Sequence, residues 1–469
     1  MGKSAGQALR LAAIRVRESA LRRDSLSLLE RFPSLQPADI ESARRVSGER
    51  RYAAARYAFR ESPLYRERFL AAGVGESDLE AQRGWDRLPI LEKADLRENL
   101  GSLYAQSFSG RSVTVQTGGS TGQPLVFEID WGLPAYSIAA ARRGQRWWGL
   151  EPGAKWVRVW GTQRAISRHP VVVARTLAKE IVDRLCGTMF LSAFDVSDEG
   201  CRRAVQRIEA FRPEGVFGYG MAIYMIADFA LRHSLTHKLG KVKAVVYTSE
   251  YLTPRHRERI SEAFCCPVVS EYGSVETGVI AYDCPCGLQH IAQEFMDVEV
   301  LGEDGVVRPT GKGEAVVTHF FARKLPLIRY RLGDIIEIAE TDAHCPNGFV
   351  GKSLLSLYGR NNDVIYSPSG RALHPELFDY ILRSVGGVRR AQVREGALGE
   401  LTVLVEALDP AFASGLASRI ATALEEHLGA EFKIATSIVP SIPLSPAGKF
   451  RLVIGNPSNK PPAAAATLL

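Results

Sequence analysis

The chain has 469 residues, of which 46% are hydrophobic and 24% are charged. These fractions exclude a disordered, collagen-like or disulfide-framework protein and fit an ordinary globular chain. The 59 Lys and Arg against 52 Asp and Glu give a net charge of +7, which is too dispersed to indicate a nucleic-acid partner. Seven cysteines at low density favour a reduced, cytoplasmic enzyme. The sequence contains no apolar run of about 18 residues, so no membrane helix is predicted.

The predicted elements begin with about a hundred helical residues, followed by a short β-branched run, Ser112–Gln116, that is typical of a strand. Four further strand candidates alternate with helices: residues 156–160, 215–217, 242–247 and 267–270. Strands that alternate with helices predict βαβ units and a largely parallel sheet.

Short strands separated by glycine turns then run from about 294 to 338, which predicts a small antiparallel subdomain. Beyond Gly359 a strand, a helix and a further strand predict a small α+β unit. The Ala-rich end, 461–469, is predicted to be disordered. The predicted fold class is therefore α/β, with a large N-terminal part of parallel or mixed sheets and helices, and a small C-terminal α+β domain.

A glycine- and hydroxyl-rich segment directly follows the first predicted strand. Its members are Thr117, Gly118, Gly119, Ser120, Thr121 and Gly122. Glycines let the backbone approach an anion with its N–H groups, and hydroxyls add donors. The segment fits neither the Walker pattern nor the dinucleotide fingerprint. It is a candidate phosphate-binding loop, although ordinary loops share this composition.

Four more motifs follow in order along the chain. They lie at residues 271–276 (EYGSVE), 329–334 (RYRLGD), 359–363 (GRNND) and 443–451 (PLSPAGKFR). Together with the loop, in this order and at these spacings, they resemble the adenylate-forming ligase superfamily from about residue 50 to 455. The connecting segments at 191–195, 247–250 and 326–330 are most similar to the phenylacetate–CoA ligase branch.

The resemblance implies an ATP-dependent enzyme that activates a small carboxylic acid as acyl-AMP, releases pyrophosphate and passes the acyl group to coenzyme A. An amine or a carrier-protein thiol is an alternative acceptor, and a degenerate member that binds a nucleotide without ligating is a second alternative. ATP and Mg²⁺ are the implied cofactors. A cytoplasmic homodimer without a nucleic-acid or membrane partner is the corresponding expectation.

The resemblance also assigns nucleotide-binding roles. The loop from Thr117 to Gly122 would clamp the phosphates, and Glu271, Tyr272, Gly273 and Ser274 would lie at the nucleotide, with Tyr272 against adenine. Glu276 would hold Mg²⁺, a hard cation that prefers oxygen ligands.

Three further residues complete the implied catalytic set. Asp334 would accept hydrogen bonds from the ribose hydroxyls. Arg360 would contact the ribose and phosphate, and Lys449 would reach the α-phosphate and the substrate carboxylate, where negative charge gathers.

The two-step chemistry implies two domains. Residues 1–358 would form the adenylation domain, and residues 359–460 would form a mobile domain that carries Lys449 and turns about Asn362. Two positions depart from the family pattern. Many relatives carry Asp at the position of Asn362, and relatives usually place Lys or Arg at the position of Gln123, so one positive charge is missing from the loop.

Candidate acyl-pocket residues combine aromatic and small side chains, which favours a flat or moderately sized apolar acid, such as an aromatic one. They are Trp160, Gly161, Phe217, Tyr219, Ala222, Tyr247, Ser249 and Glu250. Several of these side chains have an ordinary core position as the alternative. No Arg or Lys in this set would pair with a second carboxylate of the substrate.

Cys284, Cys286, His290 and Cys345 form a candidate zinc site. Thiolate and imidazole ligands at short spacing suit tetrahedral Zn²⁺. Some relatives in this branch use a Cys-x5-His pair and a later Cys-x-Cys-Gly element, and this chain lacks one cysteine of the later element. Cys286 or His344 would supply the fourth ligand of a structural zinc, with free cysteines in a turn as the alternative.

Overall fold

A computed structural model describes residues 5–117, 125–161, 170–341, 345–360, 364–373, 375–409, 413–445 and 449–459. Several predicted features lie outside these ranges: the loop residues from Gly118 onward with Gln123, His344, the predicted hinge residue Asn362 and the tail 461–469. In the part of the chain so described, no helix has both the length and the apolar character needed to cross a membrane.

The helices occur in two groups, a long N-terminal series and those that alternate with strands. They are α1 (Ala5–Ala20), α2 (Ser25–Leu35), α3 (Ile40–Glu61), α4 (Pro63–Ala71), α5 (Glu76–Glu80), α6 (Lys93–Glu98), α7 (Leu100–Leu103), α8 (Leu133–Trp147), α9 (Pro170–Leu185), α10 (Asp198–Phe211), α11 (Gly220–Arg232), α12 (Pro254–Phe264), α13 (Pro375–Val385) and α14 (Leu416–Leu428).

The strands of the N-terminal part precede and follow these helices. They are β1 (Ser112–Gln116), β2 (Val126–Asp130), β3 (Trp156–Trp160), β4 (Thr188–Ser192), β5 (Gly215–Tyr219), β6 (Ala244–Thr248), β7 (Val268–Ser274), β8 (Gly278–Asp283), β9 (Gln289–Ile291), β10 (Met296–Leu301), β11 (Val307–Arg308), β12 (Gly311–His319), β13 (Tyr330–Thr341) and β14 (Gly351–Arg360). Six strands follow: β15 (Ile365–Tyr366), β16 (Ala372–Leu373), β17 (Val388–Glu395), β18 (Glu400–Ala407), β19 (Lys433–Ile438) and β20 (Val453–Ile454).

One 12-stranded sheet organises the N-terminal part, in the order β11-β10-β12-β13-β14-β9-β8-β7-β6-β5-β3-β4. Strands β4, β3, β5, β6 and β7 are parallel, as the alternating pattern predicts. The antiparallel strands expected between 294 and 338 are present. They continue the same sheet instead of forming a separate one, because β8, β9 and β14 join β7 to β13.

The parallel strands divide the core into two layers. Residues that lie opposite each other on paired strands point to the same face of the sheet, so Val159, Gly218 and Tyr247 share one face. That face packs under α10, α11 and α12. The opposite face carries Arg158 and Phe217. Strands β5 and β6 are buried along their whole length, as expected for parallel strands that are covered on both faces.

The C-terminal part has its own core and four-stranded sheet, in the order β19-β18-β17-β20, with α13 and α14 packed against it. Two residues near its end, Ile442 and Phe450, are buried in the core beneath α10 to α12. The C-terminal part is therefore anchored directly on the parallel sheet.

Gly218 tests this sheet packing, because a Cβ atom there would overlap the backbone oxygen of Val159 on the adjacent strand. Gly218→Ala is expected to destabilise the protein by about 1–3 kcal/mol, the usual cost of overpacking. Thermal unfolding measures this. Gly48→Ala is the matched control, because its Cβ has open space around it in α3. Equal melting temperatures for the two variants would contradict the packing argument.

Candidate functional site

The nucleotide-side residues meet where β7 ends and β13 begins. The Tyr272 hydroxyl donates a hydrogen bond of 2.8 Å to Asp334 Oδ2, and both side chains are buried. Gly273 is needed beside them, because a Cβ would lie 2.5 Å from the Gly278 oxygen. The backbone of Arg360 pairs with Asp334 in the sheet. Four predicted residues from three motifs are thus brought together.

Glu276 follows β7 and is 6% exposed. Its Oε1 atom accepts a hydrogen bond of 3.2 Å from the Tyr330 hydroxyl and lies 3.3 Å from Lys93 Nζ. Sequence reasoning missed Lys93, because its distance from Glu276 along the chain leaves no local signal. A buried carboxylate beside a lysine makes this the charged end of the candidate nucleotide site.

Thr117 holds the base of the predicted phosphate loop. Its backbone N–H donates to the Leu125 oxygen at 2.9 Å, and its hydroxyl accepts from the Leu125 N–H at 3.0 Å. The two ends of the loop are therefore closed together. In the motif that contains Glu276, the Thr277 N–H donates to the Ser274 hydroxyl at 3.1 Å and orders the turn that holds Glu276.

An aromatic group lies on the face of the sheet that carries Arg158. Trp160 stacks on Phe217 with ring centroids 5.8 Å apart, and lies 4.4 Å from Tyr219. These three predicted acyl-pocket residues form one continuous apolar wall at the carboxyl ends of β3 and β5. Gly161 follows Trp160 directly in the chain.

Two other predicted pocket residues are placed elsewhere. Tyr247 and Ala222 are buried in the core beneath α10 to α12. For Tyr247 the reason is the two-residue period of a strand, which turns it to the face opposite Phe217. We therefore place neither in the aromatic wall. Ser249 follows β6 with a φ of 70°, a left-handed conformation that is costly for a residue with a Cβ.

Two charged residues on the face that carries Phe217 were not expected in the acyl pocket. The Arg158 guanidinium lies over Phe217 at 4.9 Å and Trp160 at 5.3 Å from the ring centroids. Glu271 is 9% exposed, and its Oε2 atom is buried without a hydrogen-bond partner among the described residues. The signal for Arg158 was present, since alternation in Trp156–Trp160 puts it on the same face as both tryptophans.

Lys449 and Glu250 join the C-terminal part to this wall. Lys449 Nζ lies 5.7 Å from the Tyr219 ring centroid. The sequence places Glu250 in the acyl pocket, but its carboxylate binds backbone instead. Oε2 accepts from the Met221 N–H at 2.8 Å, at the start of α11, and Oε1 accepts from the Phe450 N–H at 2.6 Å. Burial raises the pKa of Glu250 to about 7.

The four candidate zinc ligands come together, with their ligand atoms within 4.8 Å of one another. His290 Nε2 lies 3.2 Å from Cys345 Sγ and 3.4 Å from Cys286 Sγ, and the Cys284 and Cys345 sulfurs are 3.5 Å apart. A tetrahedral zinc with bonds of 2.0–2.3 Å requires ligand separations of about 3.5–3.8 Å. The donor set therefore fits zinc. Cys286 lies where the fourth ligand is needed, the one for which the sequence offers either Cys286 or His344.

Surrounding residues hold the His290 ring in place. Its Nδ1 hydrogen bonds to the Ser353 hydroxyl at 2.9 Å, and Phe349 stacks on the ring at 4.0 Å. Burial lowers the pKa of His290 to about 4, which keeps the imidazole neutral. A neutral ring with one nitrogen already bound presents the other to a metal.

Comparisons with known proteins support the predicted relationship. Protein CapK of Staphylococcus aureus is 24% identical over 374 residues, which is 79% of this chain and 80% of CapK. Phenylacetate-coenzyme A ligase of Pseudomonas putida is 24% identical over 347 residues, or 71% of this chain and 73% of the ligase. The chain resembles the phenylacetate–CoA ligase branch of the adenylate-forming superfamily. No protein-family model matches it.

Solved structures of the superfamily share the fold. A 2-hydroxyisobutyryl-CoA ligase in the postadenylation state gives a TM-score of 0.70 at 19% identity, covering 91% of this chain and 92% of its own. The same ligase in the thioesterification state gives 0.59 at 21% identity, covering 90% and 92%. The predicted α/β fold class is confirmed, since the large mixed sheet and the smaller sheet match the fold of CoA ligases.

Glu271 makes stability depend on pH in a defined direction. Burial raises its pKa from 4.5 to about 7, and the nearby Arg158 opposes this rise. The folded state then binds the proton more tightly than the unfolded chain does. Stability from this group is complete below pH 4.5 and is lost as the pH rises to 7.

Glu271→Gln cannot ionise, so the variant is expected to lose less stability than the wild type between pH 4.5 and 7. Thermal unfolding across that range measures the difference. Glu425→Gln, exposed on α14, should follow the wild type. A Glu271→Gln curve parallel to the wild-type curve would show that Glu271 does not titrate this way.

Proposed function

We propose that the protein is an ATP-dependent carboxylic-acid ligase that forms an acyl-AMP and passes the acyl group to coenzyme A. The observation that carries this is the position of Lys449, held at the aromatic wall by the bond from the Phe450 N–H to Glu250. The higher TM-score to the postadenylation state than to the thioesterification state supports the same arrangement.

In the first step, a carboxylate oxygen of the substrate attacks the α-phosphorus of ATP, and pyrophosphate leaves with the bonding electron pair. Lys449 would neutralise charge on the carboxylate and the α-phosphate as the new bond forms. Asp334 would accept hydrogen bonds from ribose hydroxyls, with the Tyr272 hydroxyl holding its carboxylate in place.

Mg²⁺ would be held by Glu276, whose carboxylate is the oxygen ligand that this cation prefers, and would shield the phosphate charge. Lys93 would turn from Glu276 to the nucleotide phosphates when ATP binds. The positive charge of Lys93 would then replace the charge that relatives carry on a Lys or Arg at the position of Gln123.

In the second step the acceptor must reach the acyl carbon. Lys449 stands at the aromatic wall, so we propose that the C-terminal part, residues 359–460, turns about Asn362 to admit coenzyme A. An amine or a carrier-protein thiol would reach the same carbon by the same motion, and both stay open as acceptors.

We also propose a structural zinc on Cys284, Cys286, His290 and Cys345. It would join the turn after β8 to the segment before β14, because its ligands come from both. The cluster involves none of the nucleotide or acyl residues, so its role would be to stabilise the fold.

Lys449→Ala tests the adenylation step. Removing one group that stabilises transition-state charge is expected to lower carboxylate-dependent ATP–pyrophosphate exchange by roughly 100-fold or more. Acyl transfer from supplied acyl-AMP should be retained. Lys433→Ala, exposed on β19, is the control. Equal loss of both half-reactions would contradict the assigned role, and exchange that does not depend on any carboxylic acid would favour a degenerate nucleotide-binding protein.

The acceptor is identified by supplying ATP and an activated acid with coenzyme A, amines or carrier protein in turn. Stoichiometric AMP release and acyl-CoA formation are expected with coenzyme A. Multiple turnover with an amine but not with coenzyme A would overturn the first choice of acceptor.

Zinc content tests the metal site. We expect one zinc per chain by elemental mass spectrometry, and loss of zinc with a lower melting temperature in Cys345→Ser. Cys265→Ser, at an exposed cysteine outside the cluster, should keep both. A wild-type protein without zinc after expression in zinc-supplemented medium would contradict the site.

A further inference from the structure

We propose that Arg158 and Glu271 form a polar end of the acyl pocket and select a carboxylic acid that also carries a hydroxyl group. This inference rests on the proposed function, and it narrows the substrate class from the apolar aromatic acid that the pocket sequence predicts. Arg158 takes no part in the adenylation step proposed above, and Glu271, which the family resemblance places at the nucleotide, is assigned here to the acyl pocket instead.

Arg158 lies in the middle of β3, among strands whose other residues are mainly apolar. The side chains before and after it, Val157 and Val159, are fully buried on the other face, whereas Arg158 is exposed. Its guanidinium covers the rings of Phe217 and Trp160. Packing against these rings removes part of the water around the guanidinium, and this desolvation lowers the pKa of Arg158.

Few contacts within the described chain offset the desolvation of the Arg158 guanidinium. No ion pair or hydrogen bond joins Arg158 to another described residue, and the attraction to Glu271 and Asp183 acts at longer range. The side chain is exposed, so its five N–H donors are not taken up by the described protein and are open to a ligand. Arg158 therefore presents donors to whatever occupies the space against Trp160 and Phe217.

Glu271 supplies the second, independent observation. Glu271 lies on β7, two strands away from β5, and pairs with Thr248 of β6. Its side chain is therefore on the same face of the sheet as Phe217. The side chain is more than nine-tenths buried, and its Oε2 atom has no partner in the part of the chain that the structure describes. A buried acceptor without a donor costs free energy, which a ligand donor would recover.

The two groups together define the chemistry that fits. A hydroxyl both accepts a hydrogen bond, as Arg158 requires, and donates one, as Glu271 requires. A hydrocarbon acid would leave both groups unpaired. A second carboxylate would pair with Arg158 but carries no donor for Glu271 Oε2. The hydroxyl-bearing acid is therefore favoured over both.

The test uses matched acids in the ATP–pyrophosphate exchange assay. Each set contains a hydrocarbon acid, its hydroxy analogue and a dicarboxylate of similar size, for example phenylacetate, hydroxyphenylacetates and carboxyphenylacetates, or butyrate, hydroxybutyrates and succinate. We expect kcat/KM for the best hydroxy acid to exceed that of its hydrocarbon partner by about 10-fold or more, because the partner leaves polar groups unpaired.

Variants assign the preference to these side chains. Arg158→Met and Glu271→Gln should each reduce the hydroxy-to-hydrocarbon ratio toward one, and Arg419→Met, exposed on α14, should keep the wild-type ratio. A wild-type preference for the hydrocarbon acids or the dicarboxylates would overturn the inference. A hydroxy preference that survives in both pocket variants would also overturn it.

Binding separates failure of the inference from failure of the proposed function. The melting temperature of each protein is measured with and without the same acids. If no acid supports exchange, adenylation is wrong, but hydroxy acids should still raise the melting temperature of the wild type more than that of Arg158→Met. Equal shifts in the two proteins would reject the polar end of the pocket.

Discussion

The carboxylate of Glu250 is the contact on which the arrangement of the candidate site depends. One oxygen accepts the Met221 N–H at the start of α11, where the helix dipole favours a negative charge. The other accepts the Phe450 N–H, one residue from Lys449. A single side chain thus ties the last motif of the chain to the carboxyl end of β6. The position of Lys449 beside Tyr219 follows from this contact.

The parallel sheet sets which residues can act together. Its five strands end side by side, so motifs far apart in the chain contribute to one edge, as is usual for ligand sites of open α/β sheets. One face of the sheet packs under α10 to α12, and the other carries Trp160, Phe217 and two charged residues. Among the described residues Arg158 makes no ion pair or hydrogen bond and Glu271 Oε2 has no hydrogen-bond partner, which a structural role alone does not explain.

Much of this could be predicted from the sequence. The order of the motifs predicted the fold. It also predicted that Tyr272, Asp334 and Glu276 lie close together, because these residues are in or beside strands whose register is fixed by burial. The pocket was predicted less well. Assigning Tyr247 to it ignored the two-residue period of β6, and Arg158 was overlooked although that same period placed it there. The position of Lys93 beside Glu276, and that of Cys286 beside His290, depend on packing between distant parts of the chain. No local sequence pattern contains that information.

The most direct test of the account is carboxylate-dependent ATP–pyrophosphate exchange by Glu250→Gln. The amide keeps the size of the side chain, but its NH₂ group cannot accept a hydrogen bond, so only one of the two backbone N–H groups retains its partner. The account predicts exchange in the wild type and a strong loss in a folded Glu250→Gln protein, with acyl transfer from supplied acyl-AMP retained. Undiminished exchange in Glu250→Gln would contradict it.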